Sequence, residues 1–284
     1  MRPFALGLVS LWFLACGGNV QDAPTTGDGG AVDTGAASDS ALGAKSYRTH
    51  VILGDSISDR GGEAPYYYDL LDKNDDARWP TDKGRDFATR YPGIQVQKKS
   101  RGGSTAANLG GQIDTLPMRL DGPVLVTITI GGNDVQAALA KILTSGDDSL
   151  NRADFAEFLE ESLGKLFTKD RFGPGVEVTV LMTNIYDPSD GTGKFTFASG
   201  TKCGGALGIW PASRPTAELL VPWQKVMTDV AAKHPGTVVL DLHGKFAGHG
   251  VPGAEAWFVK DCIHPNAAGH DAIRDLFWDA IQKL

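Results

Sequence analysis

The run Pro123-Val124-Leu125-Val126-Thr127-Ile128-Thr129-Ile130 is β-branched or apolar almost throughout and stops abruptly at Gly131-Gly132-Asn133-Asp134. Such a run reads as a strand buried on both faces, which requires helices packed above and below it and so points to a parallel sheet of an α/β domain. The pattern recurs along the chain. Val51-Ile52-Leu53 ends at Gly54-Asp55-Ser56, Ile94 to Lys99 alternates and ends at Ser100-Arg101-Gly102-Gly103, Val176 to Met182 is a fourth run, and Thr237 to Leu240 a fifth. Between them, apolar residues at three- and four-residue spacing (Phe155, Leu159, Leu163, Leu166; Trp223, Val226, Met227, Val230; Ile273, Leu276, Phe277, Ala280) predict helices.

Open α/β sheets bind ligands outside the carboxyl ends of their strands. The side chains delivered there are therefore the candidates for chemistry. Ser56, beyond the first strand, is a candidate nucleophile. Asn133, beyond the third, offers a neutral amide that can hold a developing negative charge without quenching a nearby base. The Gly102-Gly103 turn precedes Ser104 and Thr105, either of which can cap a following helix and leave backbone N–H groups facing the crevice. Near the end, Asp261 precedes His264 by three residues in a turn held by Pro265. That spacing lets the carboxylate fix one imidazole nitrogen so that the other can take a proton from a serine. His243 and His249 read as loop histidines and His270 as structural. Asp134 reads as a turn-bonding carboxylate. The segment from Asp187 to about Pro215, rich in glycine and carrying Cys203 and Trp210, is too long for a plain connection and is expected to form a substrate-pocket wall.

The first fifteen residues hold one early cation, Arg2, then an apolar stretch and small residues, which predicts a secretory signal over 1–15, too short to span a bilayer. Cys16 after Leu14-Ala15 resembles the lipobox of bacterial lipoproteins, in which that cysteine is lipid-modified. Residues 16–46 are mostly Gly, Ala, Ser, Thr and Asp, with Val20 and Val32 but no apolar period, a flexible tether with a reach of about 30 Å. The folded domain is expected over 47–284. The localisation implied is export, as a cell-envelope lipoprotein or a secreted bacterial protein, with any membrane contact made only through the anchor. In an oxidising compartment Cys203 and Cys262 form an even pair, either bonded or as two separate buried thiols. A net charge of -7 leaves no basic footprint for nucleic acid.

Taken in order, Gly54-Asp55-Ser56, Gly102-Gly103, Gly131-Gly132-Asn133-Asp134 and Asp261-Cys262-Ile263-His264-Pro265 resemble the sequence blocks of the SGNH (GDSL) hydrolases. The resemblance covers Val51 to the C-terminus. It implies a flavodoxin-like three-layer α/β/α sandwich with a five-stranded parallel sheet, Ser56 as nucleophile, His264 as base and then acid, and Asp261 as its orienting partner. It also implies an oxyanion hole of Ser56 N–H, the Asn133 amide and a glycine N–H, with Gly103 favoured and Gly102 one residue away. No metal or cofactor is implied. The expected activity is hydrolysis of acyl esters, short-chain or carbohydrate-borne, through an acyl-enzyme. The alternatives are a lysophospholipase or thioesterase with a long-acyl pocket, or a surface binding protein without turnover on the same fold.

Overall fold

The computed structural model describes residues 45–211 and 214–284. The expected signal, the lipid anchor at Cys16 and nearly all of the tether lie outside the described residues. Five strands, β1 (Thr49–Gly54), β2 (Gln95–Lys98), β3 (Val124–Thr129), β4 (Val178–Thr183) and β5 (Thr237–Leu240), form one parallel sheet in the order β2-β1-β3-β4-β5. The helices are α1 (Tyr67–Asp72), α2 (Phe87–Arg90), α3 (Ala106–Asp114), α4 (Gly132–Ser145), α5 (Ser149–Leu166), α6 (Gly205–Gly208), α7 (Val221–Ala231), α8 (Leu242–Phe246) and α9 (Ala267–Ile281). α3, α5 and α7 pack side by side, and α9 packs against α1 and α8. This is the three-layer α/β/α sandwich that the resemblance implies, and it agrees with the strand and helix patterning.

Every residue of β1 and β3 is buried, whereas β2 at one edge and β5 at the other are partly exposed. The apolar continuity of the two central strands and the alternation of β2 follow directly from that placement. The order of the strands reverses between β1 and β3, so the crevice outside their carboxyl ends is the position where this topology binds ligands. α7 begins at Val221, with Pro222 accommodated in its first turn, where the missing N–H costs no helical hydrogen bond. α4 follows directly on β3 and carries Asn133 in its first turn, with Val135, Ala138, Leu139 and Ile142 as its buried face.

His50 on β1 is wholly buried, with Nε2 2.9 Å from Thr127 Oγ1 and the ring edge-on to Phe87. Burial pushes its imidazole down to about 3. A base whose folded value lies below its unfolded value of about 6.5 binds more protons when unfolded, so stability falls as the pH drops from there towards 3. A His50→Gln variant should therefore show a shallower decline of melting temperature between about pH 6.5 and 4 than the wild type, measured by circular dichroism. An equal slope in both proteins would refute the assignment.

Candidate active site

β1 ends at Gly54, where φ is 119° and an added Cβ would fall 1.9 Å from the Thr129 carbonyl oxygen of β3. Only glycine lets the two strands close at this point. Gln112 on α3 grips the same peptide from both sides: the Gly54 N–H donates to its Oε1 at 2.8 Å, and its Nε2 donates to the Gly54 carbonyl at 2.8 Å. The buried Asp55 carboxylate accepts from the Thr129 hydroxyl at 2.8 Å and from the Ile57 N–H at 3.0 Å. Burial pushes that carboxyl up to about 6, against those two donors, which lower it. The turn presenting Ser56 is thus fixed on both flanks.

Ser56 Oγ lies 2.7 Å from His264 Nε2, and His264 Nδ1 lies 2.6 Å from Asp261 Oδ2. An ionised carboxylate can only accept, so Nδ1 carries the proton and Nε2 of the neutral ring accepts from the serine hydroxyl. Asp261 Oδ1 meanwhile accepts from the N–H groups of Ile263 and His264 at 2.8 and 2.9 Å. Burial raises the Asp261 carboxyl, but the His264 side chain and these two N–H groups outweigh it and hold the group below the usual carboxylate range. The orienting partner stays ionised through the range in which an imidazole titrates.

The turn bearing these two residues is secured from several directions. The Val259 N–H donates to the His264 carbonyl at 2.9 Å and the Cys262 N–H to the Val259 carbonyl at 2.9 Å. Cys262 takes a left-handed conformation, φ 62°, which costs a non-glycine residue ~1–2 kcal/mol and persists only where neighbours enforce it. The Tyr186 hydroxyl donates to the Ile263 carbonyl, and its ring stacks on Phe246 at 4.9 Å between centroids. Cys262 is also disulfide-bonded to Cys203, with the two Cα atoms 5.7 Å apart. Of the two arrangements open to these cysteines, the structure contains the bond.

The third cluster comes from β2 and β3. Asn133 Nδ2 donates to the Ser104 carbonyl at 2.8 Å, which orients the amide and leaves its second N–H for the crevice. The doubled glycine lies beside the serine turn. An added Cβ on Gly102 would lie 3.9 Å from Ser56 Cβ, whereas one on Gly103 would meet nothing within 4 Å. Gly103 takes the left-handed conformation, φ 77°. The Gly102 N–H donates to Asp59 Oδ2 at 2.9 Å, and Asp59 in turn pairs with Lys98 at 3.3 Å. The start of α3 is also not left open. The Asp134 carboxylate accepts from the Ala106 N–H at 3.1 and 3.2 Å, and the capping residue is Thr105.

Gly61 is a site residue that no spacing or motif revealed. An added Cβ there would come within 2.5 Å of His264 Cδ2 and 2.6 Å of the Ser56 carbonyl oxygen, so its lack of a side chain lets the imidazole approach the serine. The Gly61 carbonyl accepts from His270 Nε2 at 2.9 Å. Burial pushes the His270 imidazole down to about 4, keeping it neutral. His249 lies flat on Trp257, 3.5 Å between centroids, and the His243 N–H donates to Asn184. His243 and His249 therefore stand outside the hydrogen-bonded chain.

A cavity of about 100 Å³ runs from Ser56 and Asn133 inward. Its walls are chiefly aliphatic and aromatic: Val135 and Leu139 of α4, Ile185 after β4, and Phe195, Leu207 and Trp210 of the long segment. Among the described residues no cluster of His, Cys, Asp and Glu is disposed to hold a metal ion, and no helix is long and apolar enough to cross a membrane.

The sequence profile of the GDSL-like lipase/acylhydrolase family matches residues 52–272. No curated protein sequence matches the chain. Similar crystal structures include an alpha/beta hydrolase enzyme from the metagenome of Lake Arreo, Spain, with a TM-score of 0.53 and 22% identity over 83% of this chain and 95% of that one. A lipase from a goat rumen metagenome gives 0.52 and 16% over 82% and 96%. An acetylxylan esterase from Geobacillus stearothermophilus gives 0.52 and 18% over 84% and 95%. At these identities the likeness is one of fold.

Proposed function

The chain belongs to the GDSL-like lipase/acylhydrolase family, and from that premise we propose that it is an exported serine ester hydrolase working through Ser56, His264 and Asp261. The observation that carries this reading is the continuous chain from Asp261 to His264 to Ser56, with contacts of 2.6 and 2.7 Å, at the mouth of an apolar cavity.

Ser56 Oγ attacks the ester carbonyl carbon as its proton passes to His264 Nε2. The charge that develops on the carbonyl oxygen is met by the N–H of Ser56, the N–H of Gly103 and the free N–H of Asn133. The neighbouring Gly102 N–H already serves Asp59 Oδ2, which supports Gly103 as the donor. The tetrahedral intermediate collapses as His264 returns the proton to the leaving alkoxide, giving an acyl-enzyme and the free alcohol. Water deprotonated by the same imidazole then attacks the acyl carbon, and the carboxylic acid and Ser56 are released. Asp261 holds Nδ1–H throughout and stabilises the imidazolium without being protonated itself.

Export is supported by the leader-like residues 1–15 and by the Cys203–Cys262 bond, which suits an oxidising compartment. In this reading 1–15 are removed, 16–46 tether the protein with Cys16 as lipid anchor, and 47–284 form the hydrolase domain.

The test is covalent capture. A fluorophosphonate should add once per molecule, the adduct should map by mass spectrometry to Ser56, and the loss of p-nitrophenyl ester hydrolysis should track the labelled fraction. Absence of both labelling and hydrolysis would favour a binding protein on this fold. A second expectation concerns Gly61. Gly61→Ala should lower kcat about 10²-fold with little change in KM, because displacing the imidazole by the order of 1 Å spoils the attack geometry. Steady-state kinetics on protein with an unchanged circular dichroism spectrum would check it, and wild-type kcat would refute the role.

A further inference from the structure

We propose that the segment 187–220, stapled by the Cys203–Cys262 disulfide to the turn carrying Asp261 and His264, is the specificity element of the site, selecting medium- to long-chain acyl esters over acetyl esters. This rests on the ester-hydrolase reading and gives it a substrate class.

The segment is built as a fixed wall. Its two ends are joined by the buried Asp187 carboxylate, which accepts from the hydroxyls of Ser189 at 2.8 Å and Thr216 at 2.5 Å and from the Gly191 N–H at 3.1 Å. The Thr216 and Ala217 N–H groups return to the Gly191 carbonyl at 3.0 and 3.2 Å. In its middle, the Trp210 indole N–H donates to the Arg214 carbonyl at 2.7 Å, and the ring meets Phe195 edge-on at 6.4 Å. Gly193 is required where the strap crosses itself, since an added Cβ there would fall 2.0 Å from the Arg214 carbonyl oxygen. The disulfide then ties this wall to Cys262, the residue directly after Asp261.

The side chains that the wall contributes to the cavity are mostly apolar, and its two polar ones, Asp187 and Thr216, are hydrogen-bonded to each other. Phe195, Leu207 and Trp210 face Val135, Leu139 and Ile185 across the cavity whose mouth holds Ser56 and Asn133. An occupant linked to Ser56 Oγ must enter through that mouth, and the group on the acyl side of an ester carbonyl is the one that stays bonded to the serine. An alkyl chain matches these walls, whereas an acetyl group would leave most of them without a partner. Each methylene buried there should raise kcat/KM by about three- to fourfold, equivalent to ~0.8 kcal/mol.

The experiment measures kcat/KM for p-nitrophenyl acetate, butyrate, octanoate and dodecanoate with the full chain, normalised to the fraction of molecules labelled at Ser56 by fluorophosphonate. The wild type should prefer octanoate to acetate by at least about a hundredfold. That ratio should fall by about tenfold or more in Leu207→Ala and Trp210→Ala, which remove wall area, and in Val135→Phe, which fills the cavity from the opposite side. It should fall likewise in the Cys203→Ser/Cys262→Ser double variant. If that double variant does not fold, the wall and cavity-filling variants still decide. Ser56-dependent hydrolysis with a flat or acetate-favouring profile, or a ratio that none of the variants moves, would overturn the inference while leaving the ester-hydrolase reading intact. Loss of Ser56 labelling in the wild type would instead sink the underlying reading.

Discussion

Ser56→Ala should lower kcat on every ester substrate by at least about 10⁴-fold, leaving only what the oxyanion donors and substrate binding supply over the uncatalysed reaction. The expectation follows from the fold. Ser56 Oγ is the oxygen placed 2.7 Å from the accepting nitrogen of His264, and the neighbouring Ser58 is committed elsewhere. Its hydroxyl is buried 2.6 Å from the Tyr67 hydroxyl and 2.8 Å from Thr129 Oγ1. Alanine removes a single oxygen at a half-buried position, so the Asp55 and Gln112 contacts that shape the turn should survive and the melting temperature should change little. Substrate affinity should also survive, because the cavity and Asn133 remain. Rates read against a p-nitrophenyl ester, with a fluorescent ester used to measure binding, separate the two. Residual turnover within a factor of ten of the wild type would remove Ser56 from the chemistry.

The second large effect is expected of Asp261→Asn. The carboxamide is nearly the same size but can no longer act as a pure acceptor, so it can meet the imidazole with its N–H₂ and leave the proton on Nε2. Nε2–H cannot accept from Ser56, and a loss of about 10⁴-fold in kcat follows. The same carboxylate accepts the N–H groups of Ile263 and His264, and in the variant the retained amide oxygen can still take them. The turn is also held by the Tyr186 hydroxyl and the Cys203–Cys262 bond. The effect should therefore fall on kcat, not on folding. Because Asp261 is held ionised in the wild type, the wild-type activity should show no separate loss from this carboxylate as the pH falls across the imidazole range. A variant retaining a tenth of wild-type kcat would refute the orienting role.

Much of this architecture is written locally. Val124 to Thr129 must be a central strand because its continuous β-branched apolar run suits no other environment, and the Gly54-Asp55-Ser56 turn is legible because a buried strand ends there. Asp261 and His264 fall within one turn of chain, so their pairing is a matter of spacing. The helix α4 could have been found from Val135, Ala138, Leu139 and Ile142, which recur at helical intervals directly after Asn133.

Other features depend on residues far apart in sequence. Which of two adjacent glycine N–H groups is already bonded turns on one contact between segments, Gly102 N–H to Asp59 Oδ2, that no spacing reveals. Gly61 matters only because His264, about two hundred positions later, packs against it, and Tyr186 only because Ile263 comes within reach of its hydroxyl. The cavity assembles side chains from α4, from the loop after β4 and from the strap between Asp187 and Leu220. Residue pattern alone determined the sheet and most of its helices and marked Ser56, Asp261 and His264 as candidates, because periodicity and turn chemistry act over a few residues. The glycine beside the serine, the cystine between Cys203 and Cys262 and the shape of the cavity were decided by tertiary packing, because each is a distance between segments that only the closed fold sets.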